Sequence, residues 1–148
     1  MTEPHATLVK FGYPKSTIAE FKHWLVLLRP QQVTLASLVL VNRGEEANLS
    51  ALPEDAFTEM HKAVQAIEAG LRHFRPFDKI NYLALMMVDP HVHFHVLPRY
   101  AADQQFEGVT FKDAGWPSVP DLKQANPCPE TIMNSLRSTL IDAFGKAR

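Results

Sequence analysis

Cysteine occurs once in the 148 residues, at Cys128. A single thiol cannot close an internal disulfide, so this is not a bridge-stapled secreted scaffold, and a reducing compartment is expected. An excess of one charge is also missing: fifteen Lys and Arg stand against sixteen Asp and Glu, a formal net charge of -1. That balance excludes a protein that grips nucleic-acid polymers through a broad basic field, while leaving single nucleotides open. No apolar run approaches the ~20 residues that cross a bilayer. The longest, Trp24 to Leu28 and Leu35 to Val41, have the length of buried strands. Met1 to Lys10 has no apolar signal core and carries Glu3 and Pro4. A cytoplasmic protein with no membrane partner is therefore expected. Repeats and low-complexity tracts are absent.

What is present is an ordinary globular composition, 46% apolar and 21% charged. At this length one core can form without a metal or disulfide, so residues 1–148 are read as a single domain. Ile18 to Leu28 begins with partial alternation, ends in a continuous apolar run and stops at Arg29-Pro30, which is strand behaviour. Leu35 to Val41 predicts a second strand, closed by the turn cluster Asn42-Arg43-Gly44. From Pro53 to Phe74 the period changes. Phe57, Met60, Val64, Ile67, Leu71 and Phe74 form one apolar helical stripe, with Glu54 and Asp55 at the positive end of the helix dipole. Ile80 to Val88 and His91 to Leu97 predict an antiparallel hairpin turning at Asp89-Pro90 and ended by Pro98. Arg99 to Pro129 reads as a long ordered loop with a short strand at Val109 to Phe111, and Glu130 to Phe144 as a C-terminal helix.

Three of seven histidines, His91, His93 and His95, alternate with Val92, Phe94 and Val96. On a strand this spacing puts the three imidazoles on one face, ~6.5 Å apart in succession, and the apolar residues on the other. Two chemistries suit such a row. A neutral imidazole titrating near neutrality is a good nucleophile toward phosphorus, and a second can donate hydrogen bonds to phosphoryl oxygens or a leaving group. Alternatively, two or three imidazoles bind zinc or another divalent ion, although their spacing along a strand is wide for bonds of ~2 Å to one ion. His5, His23, His61 and His73 follow no pattern and read as surface or hydrogen-bonded core residues.

The run His91-Val92-His93-Phe94-His95-Val96-Leu97-Pro98-Arg99 resembles the signature of the histidine triad (HIT) superfamily. The element order over residues 18–99 resembles that family too, while residues 100–148 form a loop and helix extension outside its motifs. The resemblance implies an α+β, HIT-like fold: an antiparallel sheet of about five strands, the long helix on one face, the histidines on the other, and a C-terminal helix at the margin. It also implies a nucleotide hydrolase or nucleotidyl transferase acting at the α-phosphate of a phosphoramidate or dinucleoside polyphosphate. In that reading His93 attacks phosphorus and forms a covalent nucleotidyl-histidine, His95 contacts the phosphate oxygens and leaving-group bridge, and His91 orients the nucleophile. Asn81 matches a family asparagine that reaches the nucleotide. No cofactor or metal is called for. A purine nucleotide or nucleotide conjugate is the expected partner, and a homodimer the expected assembly.

The chain also departs from the pattern. Met86-Met87-Val88-Asp89-Pro90 stands where family members carry a Gly-Gln-Ser/Thr phosphate cradle. Arg43-Gly44-Glu45 replaces a further histidine after the third strand, and Leu27-Leu28-Arg29 replaces a ribose-binding Asp or Asn. Arg43 and Arg99 are candidate phosphate contacts, because arginine presents a planar fork of donors. The missing cradle keeps a rival open, a nucleotide-binding protein with feeble or no turnover. A metal site on the three histidines ranks third.

Overall fold

The computed structural model describes residues 3–147. A short helix α1 (Ala6–Lys10) leads into strands β1 (Thr17–Glu20), β2 (Trp24–Leu28) and β3 (Leu38–Asn42). Helix α2 (Glu54–Phe74) follows, then β4 (Lys79–Leu83), β5 (His93–Arg99), a small hairpin of β6 (Gln104–Phe106) and β7 (Val109–Phe111), and helix α3 (Glu130–Lys146). Five strands make one antiparallel sheet in the order β1-β2-β3-β5-β4, with α2 and α3 on one face.

The continuous apolar runs have a simple cause. Every residue of β2 and β3 is buried, because the sheet is covered on both faces. Trp24, Val26, Leu28, Leu38 and Leu40 face the helices, while Leu25, Leu27, Val39 and Val41 pack under Leu8 and Phe11 from the N-terminal segment. The register pairs Val39 with His95 and Val41 with His93. Side-chain parity therefore puts both histidines on the face opposite α2. Trp24 is fully buried, and its indole N–H donates to the Ala56 carbonyl at 2.7 Å.

Several local expectations are corrected. Ile18 to Leu28 is a hairpin rather than one strand: Phe21 N–H bonds back to the Trp24 carbonyl, and the partial alternation belonged to edge strand β1. The connection between β4 and β5 occupies residues 84–92 instead of the two-residue turn at Asp89-Pro90. Pro98 lies inside β5, opposite Ile80, beyond the last β3-paired residue, Val96, so its missing N–H interrupts no ladder with β3. The region after Arg99 holds two strands, not one; Glu107 and Gly108 both take positive φ, 46° and 83°, the geometry of a tight hairpin turn. On α2 the buried face runs through Ala56, Ala63, Ile67, Gly70 and Leu71, and Phe57 is 43% exposed. Small residues mark this face because they bring α2 close to its neighbours. A methyl group at Gly70 would overlap the Phe144 ring of α3.

Candidate active site

His93 and His95 open β5, 2% and 6% exposed, with ring centroids 5.1 Å apart in an edge-on arrangement. Phe11 flanks both rings at 5.7 and 5.8 Å. Their hydrogen bonds assign the protons. His93 Nδ1 lies 2.7 Å from the His91 carbonyl oxygen. A carbonyl only accepts, so Nδ1 carries the hydrogen and the neutral ring keeps its lone pair at Nε2. On His95, Nδ1 faces the Nε–H of Arg29 at 3.4 Å. A guanidinium only donates, so His95 Nδ1 accepts and its Nε2 carries the hydrogen. Burial, then the Arg29 charge and then His93, lower the His95 pKa from 6.5 to about 4. The imidazole is therefore neutral at physiological pH. Two adjacent rings are thus held in opposite tautomers, one offering a lone pair and the other a proton for hydrogen bonding.

His91 is the exception to the expected row of three. It precedes β5, outside the ladder, and its ring stacks on His5 with centroids 3.8 Å apart and planes 9° from parallel. Its Nδ1 bonds Thr7 Oγ1 at 2.8 Å and its Nε2 meets Glu45 Oε2 at 3.3 Å. Among the described residues no group of three His, Cys, Asp or Glu side chains is arranged to hold a metal ion. His91 precedes β5, and its ring packs against the N-terminal segment, whose Phe11 also flanks His93 and His95.

His93 and His95 line a cavity of about 350 Å³ together with Lys10, Phe11, Arg29, Pro30, Gln31, Leu85, Met87, Val88 and Asp89. Arg29 is 8% exposed, burial lowers its pKa, and its Nη1 donates to the Gln31 carbonyl at 2.7 Å. Lys10 reaches Asp89 at 2.8 Å, tying α1 to the 84–92 connection. Sequence reasoning missed Arg29 and Lys10. Arg29 reads in the sequence as the stop after the second apolar run and as part of the segment that replaces a ribose-binding Asp or Asn, and nothing in five residues marks α1.

Asn81, Arg99 and Arg43 are placed elsewhere. Arg99 lies on the histidine face by parity, but its Nε and Nη2 form a two-point pair with Asp113 at 2.6 and 2.8 Å, and its Nη1 donates to Asn81 Oδ1 at 2.7 Å. The side chains of Arg99 and Asp113 are 4% and 1% exposed, so this cluster anchors the segment after β5 to the sheet. Arg43 Nη1 donates to the Phe21 carbonyl at 2.9 Å on the surface. None of the three lines the cavity of His93 and His95.

Comparison with known proteins follows the same lines. The HIT domain family model matches residues 11–102. No match is found among curated proteins. Similar solved structures include a histidine triad protein from Marinobacter aquaeolei VT8, 22% identical with a TM-score of 0.72 over 100% of this chain and 99% of that one. Another is a histidine triad protein from Sinorhizobium meliloti 1021, 20% identical with a TM-score of 0.70 over 95% of each chain. A hypothetical histidine triad nucleotide-binding protein from Sulfolobus tokodaii strain7 is 15% identical, with a TM-score of 0.69 over 95% of this chain and 90% of that one. At these identities the structures speak for the fold alone. The family model spans more than half the chain and includes His91, His93 and His95; membership supports nucleotide-related hydrolase or transferase activity in general. No helix among the described residues is long and apolar enough to cross a membrane. The chain belongs to the HIT domain family.

Proposed function

We propose that this HIT protein is a nucleotide hydrolase or nucleotidyl transferase acting at the α-phosphate of a phosphoramidate or dinucleoside polyphosphate, with His93 as nucleophile. The observation that carries the reading is the pair of opposite tautomers at the wall of a cavity that also holds Arg29 and Lys10. His93 Nε2 attacks phosphorus, and the N–P bond forms as the P–N or P–O bond to the leaving group breaks, its electron pair departing with that group. The Nδ1–H stays on the ring against the His91 carbonyl, so the intermediate is a phosphorylated imidazolium, itself a good leaving group. His95 Nε2–H and the Arg29 guanidinium donate to the phosphoryl oxygens and the bridging atom, stabilising charge that grows in the transition state. Water then displaces His93. Over the full cycle its hydroxyl ends on phosphorus and its proton on the departed group; in a transferase another nucleophile takes the place of water.

In this reading Arg29 and Lys10 take the phosphate contacts expected of Arg43 and Arg99, and Asn81, bonded to Arg99, does not reach the nucleotide. The nucleotide is a purine derivative bound against the apolar wall of Phe11, Pro30 and Leu85. A homodimer is part of the proposal, supported by the free edge of β4 and the exposed Phe57 on α2. Sedimentation that gives a monomer at working concentration removes that part.

One observation favours a second reading, a nucleotide-binding protein with little turnover. Residues 84–92 offer the cavity Leu85, Met87 and Val88 rather than phosphate donors. The deciding experiment is turnover of an adenosine phosphoramidate and a diadenosine polyphosphate panel, with and without chelator, by the native protein and His93→Ala. Metal-independent AMP release that falls by at least about a thousandfold in the variant supports the covalent-histidine reading. Micromolar AMP binding without product from either protein supports the second.

A further inference from the structure

We infer that the short N-terminal helix is a clasp on the nucleophile: His5 and Thr7 are positioning residues that fix His91, and through its carbonyl the proton on His93. The inference rests on the His93 reading above. The start of β5 is where the order around His93 is decided. The carbonyl that holds His93 Nδ1–H belongs to His91, while the β3–β5 register ends at the pair Val41 and His93. Beyond that pair two further backbone bonds hold residue 92, from Asn42 N–H to the Val92 carbonyl and from Val92 N–H to the Glu46 carbonyl at 3.2 Å. They hold the peptide that joins His91 to Val92 from its N–H side, while the His91 side chain, ahead of β5, is fixed by contacts of its own.

The N-terminal segment supplies two of these contacts and a third bond to the end of β3. The His5 ring lies flat on the His91 ring, 3.8 Å away between centroids. Thr7 Oγ1 bonds His91 Nδ1 at 2.8 Å. His5 Nδ1 accepts from Leu8 N–H at 3.3 Å as the N-cap of α1, so its Nε2 carries the hydrogen and donates to the Asn42 carbonyl at 2.8 Å. His5 thus ties α1, the end of β3 and His91 together at one point, and is itself only 6% exposed. Thr7 is 1% exposed, so both ties operate out of water. An exposed surface histidine and a helix-start threonine would show neither the burial nor the shared target.

The cost of losing the clasp falls on geometry. If the His91 carbonyl shifts, the Nδ1–H of His93 loses its acceptor, the ring gains the other tautomer, and the fraction with a free Nε2 aimed at phosphorus drops. A displacement of ~1 Å at a nucleophile lowers the rate about a hundredfold. Loss of one of two ties is expected to reduce kcat about 10- to 100-fold with little change in KM, since neither residue lines the cavity.

The test uses the native protein and four variants: His93→Ala, His5→Ala, Thr7→Val and Thr7→Ser. Turnover of the phosphoramidate substrate is measured with the imidazole nitrogen NMR shifts of His93, which report directly which ring nitrogen is protonated. Native protein and Thr7→Ser are expected to show a single Nδ1–H tautomer and full kcat. His5→Ala and Thr7→Val are expected to show a mixture of tautomers and the reduced kcat at unchanged KM. Thr7→Val is close to isosteric, so it keeps the test decisive if His5→Ala folds poorly. Native kcat with an unmixed His93 tautomer in Thr7→Val and in folded His5→Ala overturns the inference. Retention of activity by His93→Ala instead overturns the reading on which it rests, so the two failures are told apart.

Discussion

Acid should destabilise this fold through His95. Burial first, then Arg29 and His93, hold the His95 pKa at about 4 against 6.5 for the free side chain. Between those values the unfolded chain takes up a proton that the folded chain refuses. Stability therefore rises with pH through this window, is fully present above about pH 6.5, and is lost as pH falls toward 4. A shift from 6.5 to about 4 corresponds to about 3 kcal/mol in the limit, of which about 2 kcal/mol is lost between pH 7.5 and 5. Burial also lowers the His5 pKa, so His5 contributes with the same sign. The assay is urea unfolding at half-unit steps from pH 7.5 to 5 on the native protein and on His95→Gln, which keeps a polar side chain but cannot titrate. The two stability curves should converge by about 2 kcal/mol toward pH 5, because only the native protein loses the His95 contribution. Parallel curves would falsify the depressed pKa, and with it the assignment of His95 as a neutral hydrogen-bond donor.

Three further outcomes are expected. Arg29→Met removes a buried charged donor from the cavity and should raise KM for an anionic nucleotide about 10- to 100-fold, with Arg29→Lys recovering only part because a single ammonium cannot reproduce the fork. Steady-state kinetics or AMP titration measures this, and unchanged affinity removes Arg29 from the phosphate site. Arg99→Met strands the buried Asp113 carboxylate and should cost about 3–5 kcal/mol in urea unfolding, while the folded fraction keeps its turnover because Arg99 does not line the cavity. Gly70→Ala gains about 1 kcal/mol of helix propensity but drives a methyl into Phe144, a clash of about 1–3 kcal/mol, so the net change should be a loss. Adding Phe144→Leu should make the alanine favourable; the double-mutant cycle reads the reversal.

The sheet and the two long helices were legible because their burial is written in period. Strands covered on both faces have no reason to alternate, and β2 and β3 accordingly read as unbroken apolar runs. The helical stripe on α2 was found but centred too far toward its large residues. Close helix packing selects Ala56, Ala63 and Gly70, which carry little hydrophobic signal. α1 was invisible for a different reason: five residues are too few to establish a helical period, and its order comes from tertiary contacts with β3 and His91. Asp89-Pro90 looks like a tight turn, and only the register shows β4 ending at Leu83, well before it, with β5 starting at His93.

The site divides along the same line. Parity along one strand is a local property, and it correctly set His93 and His95 side by side on the face away from α2. Parity also put Arg99 on that face, but it says nothing about partners, and Asp113, fourteen residues later, holds the guanidinium in place. What separates the two histidines chemically is still less local. His93 receives its tautomer from a carbonyl two residues away, and His95 from an arginine 66 residues earlier in the chain. His91, which the motif treats as their equal, takes its hydrogen-bond partner from Thr7, 84 residues before it. A repeat of three histidines thus locates the proposed site, whereas the assignment of lone pair and proton depends on long-range contacts that no spacing encodes. Variants at Arg29, His5 and Thr7 should therefore change the chemistry of the triad while leaving every triad residue in place.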